Sequence, residues 1–440
     1  MRARWLPNVP HPLGWTPILG NTTTIRANFH RWPEFINEVS QAMGYQAWAL
    51  SMLNAPEIVF MPCDEAVVKH VLKDNFENYS KPKRNKEALF PLLGRGIFNV
   101  DGKLWEHQRK TSLHMFTRRQ MRDHMTRVLA GKAKVFREHL AAAAAEGKTI
   151  DIQGAYFAYT LDSFVEIAFG VEMDSITQAA PFGAAFDKVQ SALNQRFYDP
   201  LWRIKSRLNL GTEADVTTYL PAIHSFTSSI ISRRVAEMRA ERDRGESCQR
   251  ADLLSLYIDA ALRAGEDVTE DELYDVTINF ILAGRDTTAC ALAWTTWEVA
   301  NHPEVLAALR AEADAAAPRA DGGLLAHGSS PEALYETVQG MDYAQAVVSE
   351  VLRLHPSVPV DSKQSLGPDV WPDGTVIPHA GVTVGYSPYV FGRSTLLWGA
   401  DADRFSPGRW ADEGKISYYK FLTFNAGKRL CLGLNLASTT

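Results

Sequence analysis

The chain is short of cysteine, of long apolar runs and of an excess of either charge. It has four cysteines in 440 residues, Cys63, Cys248, Cys290 and Cys431, far apart and with no C-x-x-C pair. That excludes a small disulfide scaffold and points to a reducing compartment, with room for one cysteine used in chemistry. No stretch approaches the roughly 18 apolar residues that span a bilayer. The strongest, Ile278–Gly284, is broken at once by Arg285 and Asp286. A secretory signal is missing too, because prolines stand at 7, 10, 12 and 17 where its apolar core would sit. With 46 Lys+Arg against 51 Asp+Glu the net charge is −5, which gives no reason to expect nucleic-acid binding. There is no internal repeat and no strand–GxGxxG–helix unit, so the chain has no flavin or nicotinamide site of its own.

What is present is ordinary for a globular protein: 46% hydrophobic and 22% charged residues, with 29 Gly and 22 Pro. Residues 1–20 read as a Pro-rich lead-in. Helical spacing predicts helices near 32–43, 64–75, 102–146 (as two), 151–170, 181–197 and 217–244. The longest runs from Thr269 to His302, opened by a Thr269/Glu272 capping box and stopped at Pro303. At about 1.5 Å per residue it reaches nearly 50 Å. Tyr45–Phe60 reads as a hairpin turning at Asn54-Ala55-Pro56, and 358–410 holds short β pieces such as Val382–Tyr386. Arg203–Asp215 reads as a mobile connection and 314–331 as a low-complexity loop. The expectation is a mainly α fold, one helix-rich domain over 1–440 with a small β-sheet region.

Chemistry concentrates in Phe424-Asn425-Ala426-Gly427-Lys428-Arg429-Leu430-Cys431-Leu432-Gly433. A cysteine in a Gly-bracketed loop before a helical run suits a metal ligand. Gly427 and Gly433 permit turns and close backbone approach, Arg429 favours the thiolate, and Phe424 would wall the sulfur off from water. A lone free cysteine is more often buried and inert; the full F-x-x-G-x-R-x-C-x-G pattern reverses that.

This pattern resembles the haem-ligand signature of the cytochrome P450 superfamily, the haem-thiolate monooxygenases. The polar turn Ala283-Gly284-Arg285-Asp286-Thr287 interrupts an apolar stretch, and a buried carboxylate and hydroxyl there need a reason. Gly284 would let a flat ligand approach the helix, and Thr287 would bond the Ala283 carbonyl or swing to a ligand. By resemblance, Ala283 and Gly284 lie against the haem, while Asp286 and Thr287 relay protons to dioxygen. Glu350 and Arg353 form an E-x-x-R one helical turn apart. The resemblance makes them a structural triad with Arg409, although Gly408 replaces the family's usual Glu. It makes Trp105, Arg109 and Arg429 donors to the haem propionates, with Lys363 a weaker candidate. Cys431 would be the axial ligand of the haem iron.

Within the superfamily, Asn279–Thr287, Val358–Lys363 and Trp398-Gly399-Ala400-Asp401 resemble the eukaryotic fatty-acid ω-hydroxylase branch. The resemblance implies haem b, dioxygen, an aliphatic substrate and electrons from NADPH through a flavoprotein reductase. It also implies the cytosolic face of the endoplasmic reticulum membrane. Lys103, Lys110, Arg118, Arg119, Arg122, Lys420 and Lys428 are candidates for the reductase-docking face, and Lys81, Lys83, Arg84 and Lys86 precede a substrate entrance. A haem-thiolate isomerase or dehydratase is the rival enzyme, disfavoured by the intact Asp286-Thr287. A truncated, non-catalytic homologue is the other alternative, since only nine residues follow Cys431 and the N-terminal anchor of the resembled family is missing.

Overall fold

The computed structural model describes residues 9–437 apart from 13, 53–56, 114, 179, 200, 246–249, 266–267, 318–324, 326–329 and 413–415. The expected turn at Asn54–Pro56, Cys248, the first eight residues of the lead-in and most of the 314–331 loop therefore lie outside the described residues. The fold is mainly α with a small mixed sheet, as expected. It resolves into two compact units, one formed by residues up to 84 with 346–431, the other by 85–345 with the residues from 432 on.

The first unit holds the sheet. Its strands are β1 (Trp48–Leu50), β2 (Ile58–Phe60), β3 (Tyr79–Ser80), β4 (Asp361–Ser365), β5 (Asp369–Val370), β6 (Val376–Ile377) and β7 (Thr383–Tyr386). Five of them order as β1-β2-β7-β4-β3, while β5 and β6 form a separate ribbon. β1 and β2 are the expected hairpin, with Trp48 opposite Phe60 and Leu50 opposite Ile58. β2 then runs parallel to β7, and β4 antiparallel to it. β-branched and aromatic side chains suit such a pleated, buried surface. Trp48 stacks on Phe60 with centroids 4.4 Å apart, and Val59, Val67, Val71, Val384 and Phe391 fill the core around them.

The second unit is built of helices. Its longest, Glu270–Asn301, spans 32 residues, about 48 Å. Thr269 Oγ1 caps it by accepting from the Glu272 N–H at 3.2 Å. The Glu272 carboxylate is taken by the Tyr257 hydroxyl at 3.2 Å. Glu270, Asp271 and Glu272 place negative charge at the positive end of the helix dipole. This helix packs along Ile152–Phe169, capped by Asp151 and closed by Gly170 at φ 64°. Phe164, Ile167, Phe169, Phe186, Val189, Ile223, Ile278 and Ile281 are among the core.

One expectation fails here. The stretch read as a mobile connection contains a helix, Trp202–Leu208, closed by Asn209 in the left-handed region, and the next helix already begins at Glu213. Its sequence hides this because Leu201, Ile204 and Leu208 face solvent, leaving no core-facing stripe to detect.

Candidate functional site

The ligand loop belongs to the first unit. Residues 422–424 and 427–429 form two single 3₁₀ turns, and the Cys431 N–H returns to the Phe424 carbonyl at 2.9 Å. Gly427 sits at φ +58°, and a Cβ there would lie 2.3 Å from the Leu72 carbonyl oxygen, so no other residue fits. Asn425, also at positive φ, donates to Asp361 Oδ2 at 3.1 Å. Arg429 lies over the Phe76 ring at 5.2 Å. Among the described cysteines, Cys63 is buried, Cys290 half-buried and Cys431 exposed. Burial pushes the Cys63 thiol up to about 12, against a hydrogen bond with Ser394, so it is inert at neutral pH. Burial and the nearby Asp286 charge push Cys290 up as well. Phe424 meets Cys431 through the backbone, its carbonyl accepting the Cys431 N–H.

Behind that loop the structure brings Glu350, Arg353 and Arg409 together. Glu350 and Arg353 are fully buried, and the Arg353 fork meets both Glu350 oxygens at 2.7 Å. The rest of the guanidinium donates to the carbonyls of Ala402 at 2.5 Å, Arg404 at 3.0 Å and Gly392. Such a planar, fully used fork is a task for Arg rather than Lys. Arg409 Nε lies 3.5 Å from Glu350 Oε1, and its Nη2 meets Asp401 at 2.9 Å. The motif reading missed two partners. The Trp410 indole N–H donates to Glu350 at 3.0 Å, and Thr423 in the loop donates to the Leu352 carbonyl at 2.8 Å. Trp398–Asp401 stood out in the sequence only as a branch signature, yet its aspartate anchors Arg409.

The polar turn belongs to the second unit. Thr287 Oγ1 donates to the Ala283 carbonyl at 2.5 Å, as its sequence position suggested. Phe280, Ala283, Thr287 and Ala291 recur at helical spacing and are all half-buried, while Gly284, Arg285 and Thr288 are buried. Leu282, Asp286 and Cys290 are half-buried too, so the partly open face takes in Asp286 as well as Ala283 and Thr287. Gly284 faces elsewhere: a Cβ there would lie 2.0 Å from the Phe164 ring, so its missing side chain serves helix packing. The sequence motif alone did not show this packing against Phe164. Asp286 is half-buried, and burial raises its carboxyl, as does Asp187, against the Arg285 charge and a hydrogen bond with Gln190. On helix Gly102–Leu113, Trp105 is buried and Arg109 lies over its ring at 5.7 Å.

Two sets of cations are already engaged. Lys363, the weaker propionate candidate, is buried and holds Asp361 at 2.8 Å and the Tyr386 hydroxyl at 3.0 Å. Arg118 pairs with Glu336 at 3.0 Å and Arg122 with Glu332 at 2.8 Å, tying the 118–125 turns to helix Pro331–Gln339. Lys428 pairs with Glu77 at 2.9 Å, and Lys420 lies 4.3 Å over the Trp398 ring.

A sequence model of the family described as Cytochrome P450 matches residues 10–440. The chain belongs to the cytochrome P450 family. It is 35% identical to cytochrome P450 86B1 of Arabidopsis thaliana over 97% of its length and 76% of that protein's. It is 32% identical to cytochrome P450 94A2 of Vicia sativa, over 98% and 82%. It is 33% identical to a cytochrome P450 monooxygenase of Mycosarcoma maydis, over 84% and 58%. As a P450 it is a monooxygenase, an oxidoreductase that incorporates one atom of dioxygen, and it resembles the fatty-acid ω-hydroxylase branch. The family implies haem and an external source of electrons. The loop fits that group: Cys431 is exposed in a turn that only glycine can make, with Arg429 two residues before it.

Proposed function

We propose that this P450 hydroxylates a long aliphatic substrate, a fatty acid, at or near its terminal carbon, and that residues 1–440 serve one catalytic domain. Electrons come from NADPH through a flavoprotein reductase. In this reading Cys431 would supply the thiolate that holds the haem iron, from a loop shaped by Phe424, Gly427 and Gly433. Trp105, Arg109 and Arg429 hold the propionates of haem b, and Ala283 offers it the open helix face. When bound, the haem supplies the oxidising chemistry, with the thiolate donating electron density that favours O–O cleavage. The chain's own residues bind, orient and exclude water. Thr287 and Asp286 hold and move protons, Thr287 at Oγ1 and Asp286 at its carboxyl. Glu350, Arg353 and Arg409 fix the loop from behind.

The observation that carries this reading is Cys431 in its glycine-turned loop, exposed where the other two described cysteines are buried or half-buried. The fatty acid rests on the branch resemblance of Asn279–Thr287 and Val358–Lys363. Work at the endoplasmic reticulum surface rests on resemblance too; among the described residues no helix is long and apolar enough to cross a membrane.

The test is the spectrum of the reduced, CO-bound protein, which shows a strongly red-shifted Soret band only with thiolate ligation. Cys431→Ser should abolish that band and turnover, whereas a retained band sinks the assignment. For substrate, C12–C18 fatty acids should displace the iron-bound water and be hydroxylated. A panel in which only steroids do so overturns the fatty-acid reading while leaving the P450 assignment intact.

A further inference from the structure

Beside the half-open face of the long helix lies a buried cation that the proton-relay reading does not use. The Arg285 side chain is 2% exposed and sits among three helices of one unit. Its Cζ lies 4.8 Å from the ring centroid of Phe157, on Ile152–Phe169, and 5.5 Å from that of Phe186, on Pro181–Gln195. The two terminal nitrogens go to different carboxylates. Nη2 meets Asp187 Oδ1 at 2.6 Å and Nη1 meets Asp286 Oδ1 at 2.9 Å. The Asp187 side chain is 58% exposed and that of Asp286 only 15%.

A guanidinium gripping one carboxylate with both ends holds it ionised. Here the grip is divided, and one positive charge faces two acids. With both acids ionised the cluster carries one net negative charge in a largely enclosed place, which is unfavourable. Asp187 is open to water and Asp286 is enclosed, so burial weighs on Asp286, and it is the acid placed to take the proton. The groups facing Asp286 are Arg285 and Cys290 on its own helix, and Asp187 and Gln190 from Pro181–Gln195. Helix Ile152–Phe169 contributes the Phe157 ring against the cation.

We infer that Asp187 is a positioning residue for Asp286, acting through Arg285. By occupying one end of the guanidinium, it leaves Asp286 with a single bond to that cation and free to take up and give back a proton. The inference rests on the reading of Asp286 as a proton-relay acid and adds the surface residue that governs its state. Nothing local in the sequence signals it, because Asp187 lies on another helix.

The experiment is a pH titration of the haem-loaded full chain by infrared difference spectroscopy, following the protonated carboxyl stretch that Asp286→Asn removes. Asp187→Asn should move the midpoint of that band down by about one pH unit or more, because a like charge is lost and Arg285 can close on Asp286. Asp187→Glu should restore most of the wild-type midpoint. The alkaline limb of the product-forming rate should shift the same way, with more peroxide per NADPH at neutral pH. An unchanged midpoint in Asp187→Asn, or a wild type with no titrating band, overturns the inference. Failure of the underlying reading looks different: Asp286→Asn would couple electrons to product as well as wild type, whatever the infrared midpoints show.

Discussion

Asp361 shows how one side chain is kept charged where burial works against it. Burial raises its carboxyl, but the Lys363 charge and hydrogen bond, the Tyr386 hydroxyl and the Ser362 N–H outweigh that, and the net shift is downward. A depressed folded-state value contributes stability that is fully present above the unfolded pKa of about 3.9 and is lost as pH falls through the folded value. The wild-type contribution should therefore be flat between pH 5 and 8. Lys363→Met removes the cation and its hydrogen bond, leaving Tyr386, Ser362 and Asn425 to hold the carboxylate against burial. The variant's stability should lie below wild type above about pH 5, with the two curves converging as pH falls below about 4. Urea midpoints across that range test this, and parallel curves for the two proteins would refute it. At the same scale, Thr287→Ala removes a hydroxyl bonded to its own helix. Product per NADPH should drop with a matching rise in peroxide, since proton delivery of this kind is worth roughly 10²–10⁴ in rate. Unchanged coupling would assign the protons to another group.

Among elements, the helix Asp342–Leu354 and the loop it backs form the most tightly specified piece of the chain. Arg353→Ala leaves Glu350 buried without its fork, at a cost of about 3–5 kcal/mol, and Arg353→Lys should recover little, because an ammonium cannot reach the same set of acceptors. Denaturation midpoints of both variants decide. How much of this was legible depended on sequence separation. Glu350 and Arg353 share a helix face and Cys431 shares a short loop with Gly427, so local spacing displayed them. Trp410 on Glu350, Asp401 on Arg409 and Phe164 against Gly284 depend on how distant segments pack, which no periodicity encodes. The helix at Trp202–Leu208 was lost for the opposite reason: its apolar residues face outward and imitate a loop. The candidate docking cations differ in what already holds them. Arg118 and Arg122 meet Glu336 and Glu332 of helix Pro331–Gln339 through largely exposed pairs, so Arg122→Glu should change the melting temperature little. Lys103 and Lys110 are exposed; reversing both should slow reduction by the reductase and leave chemical reduction unchanged.

For the molecule as a whole, composition and spacing conveyed the fold class, and ordered motifs conveyed the family. The relation between a buried charge and its surface partner needed coordinates. The contrast among the thiols has a practical meaning of its own. Among the described cysteines, an exposed Cys431, a half-buried Cys290 and a buried Cys63 should alkylate at three different rates. A brief pulse of iodoacetamide should mark Cys431 in preparations that have not taken up their prosthetic group and spare it in those that have, while Cys63 stays unlabelled until the fold opens. Mass spectrometry of those peptides would then count filled, empty and unfolded molecules in a single sample, with no chromophore required.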